Sequence, residues 1–288
     1  MSVVAPPRSG EDFGGEYQVF EPHKAGLPPL RPYFGALWAR RRFLFELART
    51  NLRAQHYNTT FGQLWLVLNP VMMALVYFTL VYTIRHGGRG PTFLAHLMLS
   101  LFAFRLVSSA ISRGAQSVVG GGKLLLNTAF PRLLLPLEAT LESFMRFLPT
   151  MAVYSVVHVV LGLPIGPQLL WAVPIIALFT IFAAGAAMFT AAAQVYFRDL
   201  ASFLRYFTRI WLYTSPVLFY AEDVPEKLKP MFFINPMYPM LGSLNDAVIE
   251  GRTPPFVLLA ASLAWAVAIV MAGAAFFISR EREFAIRL

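Results

Sequence analysis

Residues 168–196 read QLLWAVPIIALFTIFAAGAAMFTAAAQVY, a run without a single charged side chain. About 20 mostly apolar residues suffice for a helix to cross the hydrocarbon core of a bilayer. This stretch is long enough to cross and also to tilt or overrun the interface. Its apolar character is continuous rather than alternating, which predicts a helix and not a strand of a membrane barrel. Working outward, five more stretches meet the same test: Phe61–Ile84, Thr92–Ser112, Glu138–Leu161, Phe203–Tyr220 and Pro255–Ser279. The expectation is an all-α integral membrane protein with six transmembrane helices.

Composition agrees. Of the 288 residues, 57% are hydrophobic and 14% charged, against about 25% charged in a soluble domain. A net charge of +9 would suggest nucleic-acid binding in a soluble protein. In a membrane protein the position of that charge matters more than its sum, and no nucleic-acid partner is expected. With no cysteine, disulfides, thiolate metal sites and cysteine nucleophiles are excluded. Residues 1–32 are polar and rich in Pro and Gly, with no apolar core of a signal peptide, and read as a disordered tail. The membrane domain is expected over 33–288.

Lys and Arg in short loops mark the cytoplasmic side. One side holds Arg31, Arg40, Arg41, Arg42, Arg49 and Arg53, then Arg113, Lys123 and Arg132, then Arg198 and Arg205, and finally Arg280, Arg282 and Arg287. The other holds Arg85 and Arg89, an uncharged turn near 162–167, and a balanced loop with Glu222, Asp223, Glu226, Lys227 and Lys229. Both termini are therefore expected in the cytoplasm. Pro32–Arg53 places Phe34, Leu37, Trp38, Phe45, Ala48 and Leu52 at helical spacing and predicts an amphipathic helix along the inner surface. Ala221–Arg252 carries an apolar stretch broken by Pro230, Pro236 and Pro239, which suits outer helices that dip back into the membrane.

Chemistry-bearing motifs are few. Gly120-Gly121-Gly122-Lys123 fails as a phosphate loop, because Ser117 stands where Gly is needed and Leu124 where Ser or Thr is needed. The five histidines show no i, i+4 pair, so no metal is assigned and no catalytic triad can be assembled. Arg105 and Arg146 lie inside expected spans, and Glu142 sits one helical turn before Arg146, positioned to pair with it. Glu138 could reach Arg105 if spans two and three are neighbours. Such pairs either fix helix packing or touch a substrate. The middles of the other spans hold no carboxylate, which argues against ion-coupled transport. A membrane-embedded glycosyl or prenyl transferase would need paired carboxylates for a metal and a diphosphate; no DxxD-like pair stands out, and Glu222-Asp223 falls on the outer side, away from cytosolic donors. The aromatics Trp65, Tyr77, Tyr82, Trp211 and Tyr213 are either interfacial belt residues or the lining of a sugar pathway.

Several segments resemble the membrane subunits of ABC-2 type exporters of polysaccharides and polyol phosphates. RAQHYNTTFGQLWLVLNP at 53–70 resembles the family's entry to the first span. Phe130-Pro131-Arg132 with Leu135-Pro136-Leu137, Tyr196-Phe197-Arg198-Asp199-Leu200, Ser215-Pro216-Val217-Leu218-Phe219-Tyr220 and Asn235-Pro236 follow in family order. The resemblance implies a half-transporter: a second copy of this chain pairs with it, and two separate cytoplasmic ATPase subunits bind ATP and Mg. This chain itself would carry no cofactor. It implies lipid-linked glycans such as O-antigens or teichoic acids as cargo, and the chain looks most like actinobacterial exporters of a cell-wall galactan. The site would be the bacterial plasma membrane. Coupling elements would fall on Ser117–Arg132 and Tyr196–Ser202, so Lys123, Arg132, Arg198 and Asp199 would meet the ATPase. The gate helix would be Pro32–Arg53 and the outer gate helices would lie in Asp223–Glu250.

A diphosphate-anchored polymer must be recognised at the inner leaflet. Arg40, Arg41 and Arg42 lie at that height, and Arg binds phosphate through a two-pronged fork. Simple attraction to anionic lipids, about 1 kcal/mol per basic residue, accounts for them equally well. An ABC-2 permease for a small molecule or lipid would share the fold.

Overall fold

The computed structural model describes residues 29–55, 60–84, 90–121 and 131–284. The expected tail at 1–32 falls outside them as far as residue 28, and so does Lys123. Among the described residues all regular structure is helical. The described residues begin with two short helices, α1 (Leu30–Ala39) and α2 (Arg41–Ala54). Then come α3 (Trp65–Ile84), α4 (Gly90–Gly120), α5 (Leu134–Val160), α6 (Ala172–Tyr196) and α7 (Leu200–Thr214). The chain closes through α8 (Lys229–Phe232), α9 (Met237–Val248) and α10 (Phe256–Arg280).

Among the described residues five helices are long and apolar enough to cross a membrane: α3, α4, α5, α6 and α10. The chain is an all-α integral membrane protein. Among the five, α4 is central, with 78% of its most apolar stretch buried against 11% to 28% for the others. It packs on α5, α6, α3 and α7, while α6 also carries α10. The outer faces keep large apolar side chains exposed, among them Met72, Val76, Val173, Leu263 and Met271, as lipid-facing surfaces require.

Small residues let the backbones approach, as is common between membrane helices. A Cβ on Gly114 would come within 2.6 Å of the Ala187 side chain, where α4 crosses α6. A Cβ on Gly273 would collide with the Gly185 carbonyl, where α6 crosses α10.

Two expectations need correction. The stretch 203–220 is not one long helix: α7 has 15 residues, about 22 Å long, short of the roughly 30 Å core. The reason is Pro216, which pushes the residue before it out of the helical region. Ser215 is accordingly extended, at ψ 153°. Likewise the expected single amphipathic helix at 32–53 is two helices, interrupted at Arg40, whose φ and ψ are −94° and 13°.

The broken end of α7 is closed from the far side of the sequence. Asn235 donates to the Thr214 carbonyl at 3.2 Å and to Ser215 Oγ at 3.0 Å. Its Oδ1 accepts from the Trp211 indole at 2.8 Å. Non-helical backbone at membrane depth is tolerated when protein groups satisfy it in this way. Beyond it, α9 is 12 residues long and almost wholly buried, too short to span. His96 on α4 meets Asn245 on α9 at 3.0 Å, and Arg252 pins the following loop through Asp246 and Glu222, the latter at 2.6 Å.

Candidate functional site

A cleft of about 610 Å³ runs between α3, α4 and α7. Arg105 and Arg113 enter it from α4 and Arg205 and Arg209 from α7, and no carboxylate is among the described residues that line it. Arg105 is the middle residue of α4. A smaller recess of about 160 Å³ adjoins it, sharing Arg105 and Arg113 and adding Trp65, Asn69 and Arg146. Tyr77 lines the cleft, and its ring meets that of Tyr213 edge-on at 6.5 Å.

The five aromatics singled out from the sequence therefore separate. Tyr77 and Tyr213 come together and Trp65 lies in the adjoining recess. Tyr82, half exposed, stacks on Phe78 at 6.0 Å. Trp211 belongs elsewhere, in an apolar groove with Phe182, Phe203 and Phe207.

At the lower edge of the cleft, Glu142 on α5 joins two arginines. Its Oε1 is 2.6 Å from Arg146 one turn along, and its Oε2 is 2.8 Å from Arg113 on α4. Gln55, just past α2, adds its amide: Oε1 accepts from Arg146 and from Arg113 at 3.3 Å. One helical turn earlier, Glu138 accepts from Asn51 of α2 at 3.1 Å. These bonds seat the amphipathic α2 against α5.

Glu138 does not reach Arg105, as the sequence had left open. Helices α4 and α5 are antiparallel, and the Arg113–Glu142 pair and the 3.1 Å contact between Ser109 and Ser143 set their register. That register carries Arg105 toward Phe147 and Thr150, well away from Glu138. Among the described residues Arg105 has no ion-pair partner.

Arg40, Arg41 and Arg42 are exposed at the junction of α1 and α2. Arg41 lies over the Trp38 ring at 5.1 Å and donates to the Trp38 carbonyl at 3.1 Å. No acidic residue occupies the first turn of α2, so the helix dipole adds to this positive charge instead of offsetting it.

A junction gathers several chain segments at the end where α4 finishes and α5 begins. Glu281 accepts the Tyr33 hydroxyl at 2.6 Å and the Arg132 backbone N–H at 2.5 Å, while its carbonyl accepts the Arg132 guanidinium at 2.6 Å. Glu283 accepts from the Tyr196 hydroxyl at 2.6 Å. Burial first, and then the Glu281 carboxylate, push the Tyr33 hydroxyl well above the ordinary tyrosine range. Arg198 and Asp199 stand exposed on the turn between α6 and α7, whose geometry is held by the Gln194 amide donating to the Arg198 carbonyl at 2.7 Å.

Sequence reading missed Glu281, Glu283, Tyr33 and Gln55. The carboxylates sit among the arginines that mark the cytoplasmic flank, and their bonds to Tyr33, Arg132 and Tyr196, 87 or more positions away, follow only from the fold. The one available signal was the acidic pair inside an otherwise basic terminus.

A bundle of apolar helices around a polar, arginine-lined cleft, with exposed charged turns at one end, defines a multi-pass membrane protein. The family model for the ABC-2 type transporter matches residues 43–249, well over half the chain, and the protein belongs to that family. It is also similar to two proteins each called O-antigen export system permease protein RfbA. The one from Klebsiella pneumoniae is 26% identical over 214 residues, covering 73% of this chain and 82% of that protein. The one from Myxococcus xanthus is 27% identical over 255 residues, covering 86% and 96%.

Proposed function

We propose that this chain is the permease half of an ATP-driven exporter that moves a lipid-linked polysaccharide across the plasma membrane to the outer side. Two copies form the conduit, and two cytoplasmic ATPase subunits supply the energy. The observation that carries the reading is the polar cleft beside Tyr77 and Tyr213 inside an apolar bundle. Sugars offer apolar C–H faces to such rings and hydroxyl rims to the polar lining, so a glycan chain can advance without touching hydrocarbon. The RfbA relatives support a polysaccharide cargo, and a cell-wall galactan on a polyprenyl diphosphate is the first candidate.

In this reading the basic end, with Arg132, Arg198 and Asp199, faces the cytoplasm and receives the ATPase, together with Lys123 from outside the described residues. Arg40, Arg41 and Arg42 meet the anionic lipid head at the inner leaflet, where bound membrane lipids also lie. Helix α9 and the turns before it close the outer mouth.

Reconstitution tests this. The chain is placed in liposomes with its ATPase, and delivery of a polyprenyl-diphosphate-linked galactan to the far side is followed with an impermeant galactose oxidase. ATP-dependent delivery is expected. Delivery by the chain alone, without ATP, would overturn the reading. Stimulation of ATPase activity only by a small molecule or free lipid would move it to the small-cargo branch of the same family.

A further inference from the structure

A cation held within a bilayer requires a partner or water, and the cleft between α3, α4 and α7 holds more cations than its surroundings neutralise. Glu142 is shared by Arg113 and Arg146. Arg105 and Arg209 face the cleft with no ion-pair partner among the described residues, and both are exposed to it. The two helices oppose one another: Arg105 and Arg113 lie two turns apart on α4, roughly 12 Å by helix rise, and Arg205 and Arg209 one turn apart on α7. An anion with several oxygens can therefore be gripped from both sides. The planar guanidinium fork pairs with phosphate oxygens two at a time, and a phosphate or diphosphate has enough oxygens to meet arginines on both helices, which the two oxygens of a single carboxylate do not. Met73 of α3, half exposed, forms part of the rim, so the cleft meets a hydrocarbon-facing surface along its side.

We infer that this cleft is an anion site for a phosphate or diphosphate ester carried on a lipid tail, with Arg105 and Arg209 as its main contacts. The ester group leaves the inner-leaflet interface and is held at membrane depth while its tail stays in lipid beside α3. This rests on the permease reading for the identity of the cargo, but not for the binding itself. Two sources share the chemistry, a lipid-linked cargo and the head groups of bulk anionic phospholipid.

The test uses the full chain with its ATPase in nanodiscs of neutral phosphatidylcholine, titrated with farnesyl diphosphate, farnesol and phosphatidylglycerol. Farnesyl diphosphate should bind and farnesol should not. The double variant Arg105→Gln with Arg209→Gln should weaken binding about tenfold or more, the scale of one or two charged hydrogen bonds. If the double variant does not assemble, each single variant, expected to lose about threefold or more, carries the test. Unchanged affinity in assembled variants overturns the inference, as does equal binding of farnesol. Phosphatidylglycerol binding as tightly as farnesyl diphosphate overturns the cargo assignment in favour of bulk lipid. Export is measured in parallel on the wild-type complex. Export without diphosphate binding discards this site and keeps the permease, whereas binding without export does the reverse.

Discussion

Tyr33 donates its phenolic hydrogen to Glu281 across 2.6 Å, joining residues 248 positions apart in the chain. The same carboxylate holds the backbone of Arg132. One acidic side chain thus ties together α1, the segment leading into α5 and the turn that follows α10.

Replacing Tyr33 with Phe removes that bond while keeping the ring. The expected cost is about 1.5–3 kcal/mol, the range for a hydrogen bond to a charged group, visible as a lower melting temperature of the detergent-purified protein. The bond also sets a pH dependence. Burial and Glu281 raise the Tyr33 pKa above its ordinary 10.0, so its contribution is complete below about pH 10 and fades as pH rises further. The wild type minus Tyr33→Phe stability difference should be level from neutral pH to about 9 and shrink beyond 10. A difference that shrinks toward acid instead would show the sign to be wrong.

Glu142 neutralises two arginines on different helices, and its own side chain is only 4% exposed. Glu142→Gln leaves both cations facing each other, and removal of one member of a buried ion pair costs on the order of 3 kcal/mol. The triple variant Arg113→Gln, Glu142→Gln, Arg146→Gln removes the whole set and should recover much of the loss. Thermal melts of the three proteins decide it. If the single and triple variants melt alike, the charge argument fails and packing alone explains the site.

Asn235 supplies the cap that a broken α7 needs. Asn235→Ala deletes its bonds to Trp211, Thr214 and Ser215 together; the Thr214 carbonyl is exposed to solvent, so the main cost is the part-buried Trp211 indole left without its acceptor, about 1–3 kcal/mol. Trp211→Phe removes one bond and should cost less. The reverse order in a thermal melt would mean that the indole ring, not the cap, holds this corner.

Much of the fold was legible because bilayer physics leaves few options: a continuously apolar segment that crosses does so as a helix, and four expected span ends fall within a few residues of Leu134, Val160, Tyr196 and Arg280. The α7 break was legible in principle, since Pro216 stands inside the expected span, but hydropathy does not register a missing N–H. The cleft was only half visible. Glu142 and Arg146 share a helix face, so their 2.6 Å contact follows from local spacing. The approach of Arg113 to Glu142 depends on the α4–α5 register, and that is set by side-chain packing between helices rather than by any local pattern.

Arg198 and Asp199 offer opposite charges on a short turn whose backbone is fixed by Gln194. A stiff, exposed, doubly charged turn suits docking to a partner with matching charges. Arg198→Ala with Asp199→Ala should leave the melting temperature within about 0.5 kcal/mol of equivalent stability, as expected for surface changes, while releasing or uncoupling the ATPase on co-purification. Full retention of a coupled ATPase would remove these residues from the interface.

Tyr77 lines the cleft and meets Tyr213 edge-on, whereas Trp211 is committed to Asn235. If the rings serve passing sugars, their loss should act on movement and not on assembly. Tyr77→Ala with Tyr213→Ala should slow export several-fold at saturating ATP, since stacking on an aromatic face is worth about 1 kcal/mol per contact. The Phe variants should retain most of the rate, because they keep the face and lose only the hydroxyl. ATPase co-purification should be unchanged in both. Tyr82→Ala, on the exposed flank of α3, is the internal contrast and should leave export near wild type. Export falling equally in the Phe variants would locate the contribution in the hydroxyl groups, and normal export in the double Ala variant would place the glycan path away from this pair.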